Sequence, residues 1–304
     1  MSEITKVTII GASGHLGQYI VKALLSYPKL ATQILTHTDS NSTFPANVPI
    51  IRADFSSIDS LKSALRGQDA IISAVGIRGV SDQINVIDAA VAVGVRRFIP
   101  SEFGNHPASD DKRLPEMRAT QTEKIKVMNH LKKKAEENEG FSWTAIAVGN
   151  FFDWSIKRFP AFGFNLASKE ARIYDSGSEP ITGVLIDSIG QAVVGTFLNP
   201  RATANKFLRI RSLQTTQNEI LATLEKITEC KWTVERVSTE ELYQAGKEKK
   251  EKGGGWILDI LCTQIFADGG GRSVVATRED SDNGLVGVEE VELEDVIRGI
   301  VAEG

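Results

Sequence analysis

Two stretches of this chain carry residues whose types and spacing can do chemistry. Lys6-Val-Thr-Ile-Ile-Gly-Ala-Ser-Gly-His-Leu-Gly17 runs an apolar segment into glycines at positions 11, 14 and 17. A strand that leaves through glycine takes a positive φ at no steric cost, and a bare Gly14 lets a pyrophosphate reach the backbone. Gly17 lets the next helix sit close to the sheet. The loop residues Gly11, Ser13, Gly14, His15, Leu16 and Gly17 then cradle phosphates at a helix N-terminus, where free amides and the helix dipole favour negative charge. This Gly-x-x-Gly-x-x-Gly spacing differs from the commoner Gly-x-Gly-x-x-Gly, so its meaning rests on context. The context is a strand, Val7 to Ile10, and an amphipathic helix with Leu16, Ile20, Ala23 and Leu24 on one face. A nucleotide cofactor is expected, against the alternative of a purely structural turn.

The second stretch is a helix expected from about Pro115 to Glu139. On it Met117, Met128, Leu131 and Ala135 share a face with Lys124, whereas Lys126 and Lys133 lie opposite and Lys132 and Lys134 flank the stripe. Burying an ammonium costs several kcal/mol unless it is paired or neutralised. Burial also lowers its pKa towards the range in which lysine transfers protons. The alternative is snorkelling, in which the stem packs and the charge reaches water.

Alternating strands and helices are expected to position both stretches. Strand candidates after the first are Ile34 to Thr36, Val48 to Ile51, Ala70 to Ala74, Arg97 to Ile99 and Trp143 to Val148, with helices at Ile58 to Leu65 and Ser81 to Ala92. Such alternation predicts an α/β fold with a parallel, doubly wound sheet, whose ligands bind beyond the carboxyl ends of the strands. After the second strand, Thr36, His37, Thr38 and Asp39 stand where the adenosine ribose is read; His37 is a weak candidate for a 2'-phosphate, or an ordinary loop histidine. Asp54 and Phe55 can frame adenine, or Asp54 can cap the next helix. Ser73-Ala-Val75-Gly76 is a small-residue exit with room for a cofactor, or a plain turn. Phe98-Ile-Pro-Ser-Glu-Phe-Gly104 forms a rigid corner that projects Ser101 and Phe103 towards the reactive end, or serves topology alone.

The second half crowds Phe151, Phe152, Trp154, Phe159, Phe162 and Phe164 into a short segment, suited to a flat apolar ligand or to a core. Tyr174 to Gly177 reads as a hairpin turn, Gln217 to Thr228 as an amphipathic helix, and Gly269-Gly-Gly-Arg272 as a loop. Lys247 to Lys252 reads as a charged helix face ending at a flexible Gly253-Gly-Gly255. The formal charge of -4 and short basic runs give no reason to expect nucleic acid. Cys230, Cys262 and the histidines at 15, 37, 106 and 130 form no disulfide framework or metal-ligand spacing. No signal peptide or membrane-spanning stretch is legible, so a cytoplasmic protein is expected.

The glycine loop, the Ser73 to Gly76 exit and the Phe98 to Gly104 corner together resemble the NmrA-like branch of atypical short-chain dehydrogenases, and within it the isoflavone reductase-like group. Asp82-Gln83, Ala89-Ala90, Gly94-Val95, Gly149-Asn-Phe-Phe152 and Asn199-Pro-Arg201 extend the similarity. The resemblance implies a Rossmann-type sheet over residues 1–150 and a smaller, partly interleaved substrate region over 151–304, with one segment returning to the sheet. It implies NADPH as cofactor, with NADH the other candidate. The family's catalytic lysine lies in a Lys-x-Lys-Val stretch, which places it at Lys124. Plant members carry arginines where this chain has His37 and Met128, and the Tyr-x-x-x-Lys pair of ordinary short-chain dehydrogenases is absent because Thr120 stands four before Lys124. The expectation is a reductase of a small conjugated or aromatic substrate. In it Lys124 is the general acid or base, Val75, Gly76, Asn150 and Phe151 lie along the cofactor, and Phe103 and Phe152 wall the substrate. A non-catalytic regulator that senses nicotinamide and binds a protein, or an inert module for an aromatic ligand, are the other readings.

Overall fold

The computed structural model describes residues 3–106, 112–158 and 160–303; Phe159 of the aromatic segment lies outside them. The first half lays down strands Lys6–Ile10 (β1), Ala31–His37 (β2), Ile50–Ala53 (β3), Ala70–Ser73 (β4), Arg97–Ile99 (β5) and Ser142–Ala147 (β6). Between them run helices His15–Leu25 (α1), Ile58–Leu65 (α2), Gln83–Ala92 (α3), Pro115–Ala119 (α4) and Thr122–Glu137 (α5). In the second half come the short pairings Asn150–Phe151 (β7) and Phe164–Asn165 (β8), with helix Phe152–Ile156 (α6) between them. Strands Glu170–Tyr174 (β9) and Ile181–Val184 (β10) precede helix Ile186–Leu198 (α7). Lys206–Arg209 (β11) then returns to the first sheet, before Leu213–Thr215 (β12), helix Gln217–Thr228 (α8) and Thr233–Val237 (β13). Helices Thr239–Glu251 (α9), Ile257–Phe266 (α10), Asn283–Val286 (α11) and Leu293–Glu303 (α12) complete the chain.

The main sheet has the order β11-β6-β5-β4-β1-β2-β3, and all its pairings are parallel. Its strands alternate two buried faces, as a sheet covered on both sides requires. Val7, Ile9, Ile34, Ile72 and Ile146 join the cluster that includes Ile20, Leu24, Ile189 and Val193 of α1 and α7. Ile10, Leu35, Ile71, Phe98 and Ala145 join the opposite cluster with Leu61, Ile87 and Leu131 of α2, α3 and α5. On the first face the helices come very close: a Cβ on Gly190 of α7 would stand 2.9 Å from the Tyr19 carbonyl of α1.

Three sequence expectations change. The strand expected at Val48 to Ile51 begins at Ile50, because Pro49 has a carbonyl for Ile34 N (2.8 Å) but no N–H to give back. The helix expected from Pro115 to Glu139 is two helices. Thr120 Oγ1 donates to the Met117 carbonyl (2.7 Å) and Thr122 Oγ1 to Ala119 (3.0 Å), so side chains compete with the helical ladder at the break. Met117 therefore leaves the Lys124 stripe, and Tyr243 of α9 ties α4 to the second half by donating to Glu116 (2.9 Å). The turn after Tyr174 is real, with Asp175 and Gly177 at positive φ, but it is no hairpin: β9 and β10 belong to different three-stranded sheets. Gln217–Thr228 is a helix as expected, closed by a capping box between Thr216 and Glu219. Phe152, Phe162 and Phe164 are fully buried in a third cluster with Tyr174 and Phe266. Among the described residues no helix is long and apolar enough to cross a membrane.

A buried arginine and a half-buried aspartate hold the strand starts and the returning segment. Arg97, with no exposed surface, donates to Ser142 Oγ (2.9 Å), Thr144 Oγ1 (2.9 Å), Thr203 Oγ1 (3.0 Å) and the Pro200 carbonyl, joining β5 and β6 to the loop that leads into β11. Burial pushes its pKa down to about 10. Asp69 accepts from Thr5 N (2.8 Å), Lys6 N (2.9 Å) and Arg96 (2.7 Å). Burial pushes its carboxyl up, but the bonds from Arg96, Thr5 and Lys6 outweigh this and hold it at about 2. A depressed carboxyl stabilises the fold above its unfolded value, and that contribution is lost as pH falls towards 2. Urea unfolding followed between pH 5 and 2 is expected to show a shallower loss of stability in Asp69→Asn than in the parent chain, with the variant less stable at pH 7.

Candidate active site

The glycine loop leaves β1 at the centre of the sheet, where side chains are excluded on two sides. Gly11 has φ +81°, and a Cβ on it would lie 2.5 Å from the Ala74 carbonyl at the end of β4. A Cβ on Gly17 would lie 2.1 Å from the Gly11 carbonyl. Those two glycines bring α1 directly over the strand exit, so its first amides face outward beyond the sheet. Gly14 is the N-cap, its amide donating to the Gly11 carbonyl (3.0 Å) and its carbonyl accepting from Gln18 N (3.1 Å). Ser13, Gly14 and His15 are exposed, Leu16 packs on the core, and Ser13 Oγ meets Ser42 Oγ at 3.2 Å. His15 stands edge-on to Trp154 of α6 at 5.4 Å, so the second half reaches over the loop.

The exits of β4 and β5 meet beside that loop. Ser101 Oγ donates to the Val75 carbonyl (2.7 Å), and Ser101 N donates to Gln83 Oε1 (3.0 Å) at the start of α3. Gly76 is exposed with open space beside it. Asn150 is half-buried and donates to the Thr182 carbonyl (3.1 Å), while Phe151 is half-buried beside it. Phe103 is nearly buried, in the cluster of α1 and α7. Phe152, expected to wall a pocket, is instead core: its ring packs on Phe162 (6.1 Å) and across Gly183, leaving no exposed surface. Phe151 ends β7 and packs half-buried against the cluster of α1 and α7, whereas Phe152 begins α6 and enters the third cluster.

Lys124 is half-buried on α5 and lines a cavity of about 190 Å³ with Glu102, Arg113, Gln121 and Met128. Val127, Met128 and Leu131 of the same helix are buried. Burial pushes the Lys124 ammonium below its usual value; the Glu102 carboxylate pulls it back up and the Arg113 guanidinium pushes it further down. Glu102 directly follows Ser101, so the β5 corner carries both the contact to the β4 exit and the charge facing Lys124. Arg113 is placed by its neighbours: its Nη2 donates to the Asn105 carbonyl (3.1 Å), and Leu114 N donates to Gln264 Oε1 of α10 (2.7 Å). From the sequence, Glu102 stands only as part of the corner and Arg113 carries no assigned role. The corner motif was the signal for Glu102; Arg113 joins the cavity through long-range packing and left none.

At the end of β2, His37 stacks on Phe55 (4.1 Å, 24°) with Nε2 3.9 Å from Asp82. Asp54 turns away to accept from Ser56 N (2.8 Å) and Oγ (2.7 Å), bonds that hold its carboxyl below the usual range. The residue sequence reasoning missed here is Arg52, opposite Thr36 on β3.

A parallel sheet with a glycine-lined exit defines a dinucleotide-binding scaffold, and Lys124 stands half-buried on α5 beside the corner that follows β5. The model of the NmrA-like family matches residues 3–251, and the chain belongs to that family. It is 40% identical over 298 residues to the oxidoreductase poxI of Penicillium oxalicum, covering 97% of this chain and 94% of that one. It is 35% identical over 252 residues to the oxidoreductase aprR of Aspergillus flavus, covering 82% of each. The solved structure of AtPrR2 with NADP+ and (+)pinoresinol superposes with a TM-score of 0.80 at 22% identity, covering 99% of this chain and 100% of that chain.

The field around Lys124 has a direct consequence. Glu102→Gln removes an anion that favours the ammonium and is expected to lower the Lys124 pKa further; Arg113→Gln is expected to raise it. The pH dependence of Nζ acylation, read by mass spectrometry, checks both signs, and identical profiles in the two variants would show that these groups share no field.

Proposed function

We propose that this chain is an NADPH-dependent reductase, with NADH as the other candidate donor, acting on a small conjugated or aromatic substrate with Lys124 as general acid. Residues 1–150 hold the dinucleotide and 151–304 close the substrate side, apart from β11. The observation that carries the reading is a half-buried lysine in a small cavity on the corner that is hydrogen-bonded to the β4 exit beside the glycine loop. Relatives called oxidoreductases and a structural neighbour holding NADP+ with an aromatic small molecule support it.

The residues present fit a dinucleotide. Gly11 and Gly17 leave no room for side chains where the backbone must come close, and the α1 amides stand free beyond β1 for a pyrophosphate. A bound reduced nicotinamide supplies hydride. The α1 N-terminus holds the phosphates, Val75, Gly76, Asn150 and Phe151 line the way to the reactive end, and Phe103 backs it. Lys124 gives its proton to the substrate atom on which negative charge accumulates. Burial lowers its pKa, which makes that transfer easier, and Glu102 opposes the shift. Gln121 and Met128 line the cavity beside the amine.

Lys124→Ala is expected to lose turnover by about 10²-fold or more while NADPH still binds. The measurement is NADPH absorbance with a panel of enones, quinones and phenylpropanoids, alongside calorimetric NADPH binding. Normal turnover in the variant removes Lys124 from the chemistry. Tight NADPH binding without consumption across the whole panel favours the nicotinamide-sensing regulator instead.

A further inference from the structure

In a parallel dinucleotide fold the adenosine ribose meets the end of the second strand, where an acid suits a free 2'-hydroxyl and a nearby arginine accommodates a 2'-phosphate. Here the side chain that β2 offers, His37, is already occupied by Phe55 and faces Asp82. The adjacent strand brings a different group to the same place. Arg52 pairs in register with Thr36, one position inside the strand end. Its Nη1 donates to the carbonyls of Ser40 (2.7 Å), His37 (3.3 Å) and Thr38 (3.3 Å), the three residues over which the chain leaves β2. Among the described residues, its Nη2 and Nε make no hydrogen bond.

That arrangement does two things. One guanidinium nitrogen gathers three backbone carbonyls and fixes an exposed side chain in a single orientation, so the rotamer entropy an arginine loses on binding an anion is already spent. The same bonds hold the Ser40 segment, whose neighbour Ser42 meets Ser13 of the glycine loop at 3.2 Å. Between these loops lies a cavity of about 600 Å³ lined by Ser13, Gln18, Asn41, Ser42 and Thr43, among others. Hydroxyls and amides line it together with Ala12, Val21, Phe44 and Pro45, and Arg52 is bonded to Ser40, the residue directly before the Asn41 to Pro45 part of that lining.

We propose that Arg52, from β3, reads the substituent on the adenosine ribose and selects a 2'-phosphate-bearing dinucleotide over one with a free 2'-hydroxyl. The proposal rests on dinucleotide binding as read above. The planar fork offers the phosphate two charge-assisted hydrogen bonds, which a histidine stacked on phenylalanine does not. Ser13 and Ser42, which line the cavity, supply further hydroxyls.

Calorimetric titration of the parent chain, Arg52→Gln and Arg52→Lys with NADP+, NAD+, adenosine 2',5'-bisphosphate and 5'-AMP tests this, with thermal melts as the check on folding. The parent chain should prefer the 2'-phosphorylated member of each pair, and that preference should shrink as salt rises. Arg52→Gln should weaken NADP+ and the bisphosphate by roughly ten- to a hundredfold. It should leave NAD+ and 5'-AMP within about twofold. Arg52→Lys keeps the charge without the fork and should fall between them; if Arg52→Gln does not fold, a selective loss in Arg52→Lys carries the test. Equal losses for both members of each pair would make Arg52 only a loop clamp, and no loss, or a parent chain that prefers NAD+, would overturn the assignment. A parent chain that binds neither dinucleotide overturns the proposed function itself, and this inference with it.

Discussion

The structure depends on one close backbone contact, between the start of α1 and the exits of β1 and β4. At Gly17 a helix meets the carbonyl of Gly11, and at Gly11 the chain turns against the carbonyl of Ala74, with no side chain in either place. Because α1 is pressed onto the sheet there, its unpaired amides project beyond the strand ends. The same seating lets α7 approach α1 at Gly190, so the face of the sheet that carries the glycine loop is also the face on which α7 of the second half docks. A larger residue at either loop glycine would lift the helix and disturb both together.

Around Lys124 the design is a balance of opposing effects. Desolvation acts on the ammonium throughout, an arginine adds to it and a glutamate opposes it. Burial and the arginine disfavour the charged amine, whereas the carboxylate favours it, so the three act on one group in opposite senses. The corner Pro100-Ser101-Glu102 makes the balance geometric, since the residue that grips the β4 exit is followed at once by the charge that faces the lysine.

The second half is woven into the first through Arg97. Its guanidinium sits wholly inside the protein and draws the 199–203 loop onto β5 and β6, which sets β11 beside β6 at the edge of the main sheet. An ion in that position is expensive unless its donors are satisfied, and hydroxyls of Ser142, Thr144 and Thr203 satisfy them. Helix α6, which follows β6 through the short β7, stands with Trp154 edge-on to His15 of the glycine loop.

How much of this was legible in the residues alone follows from the range of each interaction. The parallel sheet, the glycine loop and the placing of Lys124 on the buried side of α5 are local patterns: periodicity of two, periodicity near 3.6, and glycine where a side chain cannot go. The break at Thr120 was hidden because hydroxyls that compete with a helix look like ordinary helix residues until the flanking segments choose different partners. Phe151 and Phe152 are adjacent and alike, and only the tertiary packing set one half-buried against the first cluster and the other wholly inside the third. Arg52 and Arg113 carried no local signal at all, since each acquires its setting from strand register or from a loop packed on a distant helix. Short-range sterics and hydrophobic pattern determined the scaffold and the lysine; the charges gathered around the site were decided by long-range pairing, which brings together groups that have no fixed spacing along the chain.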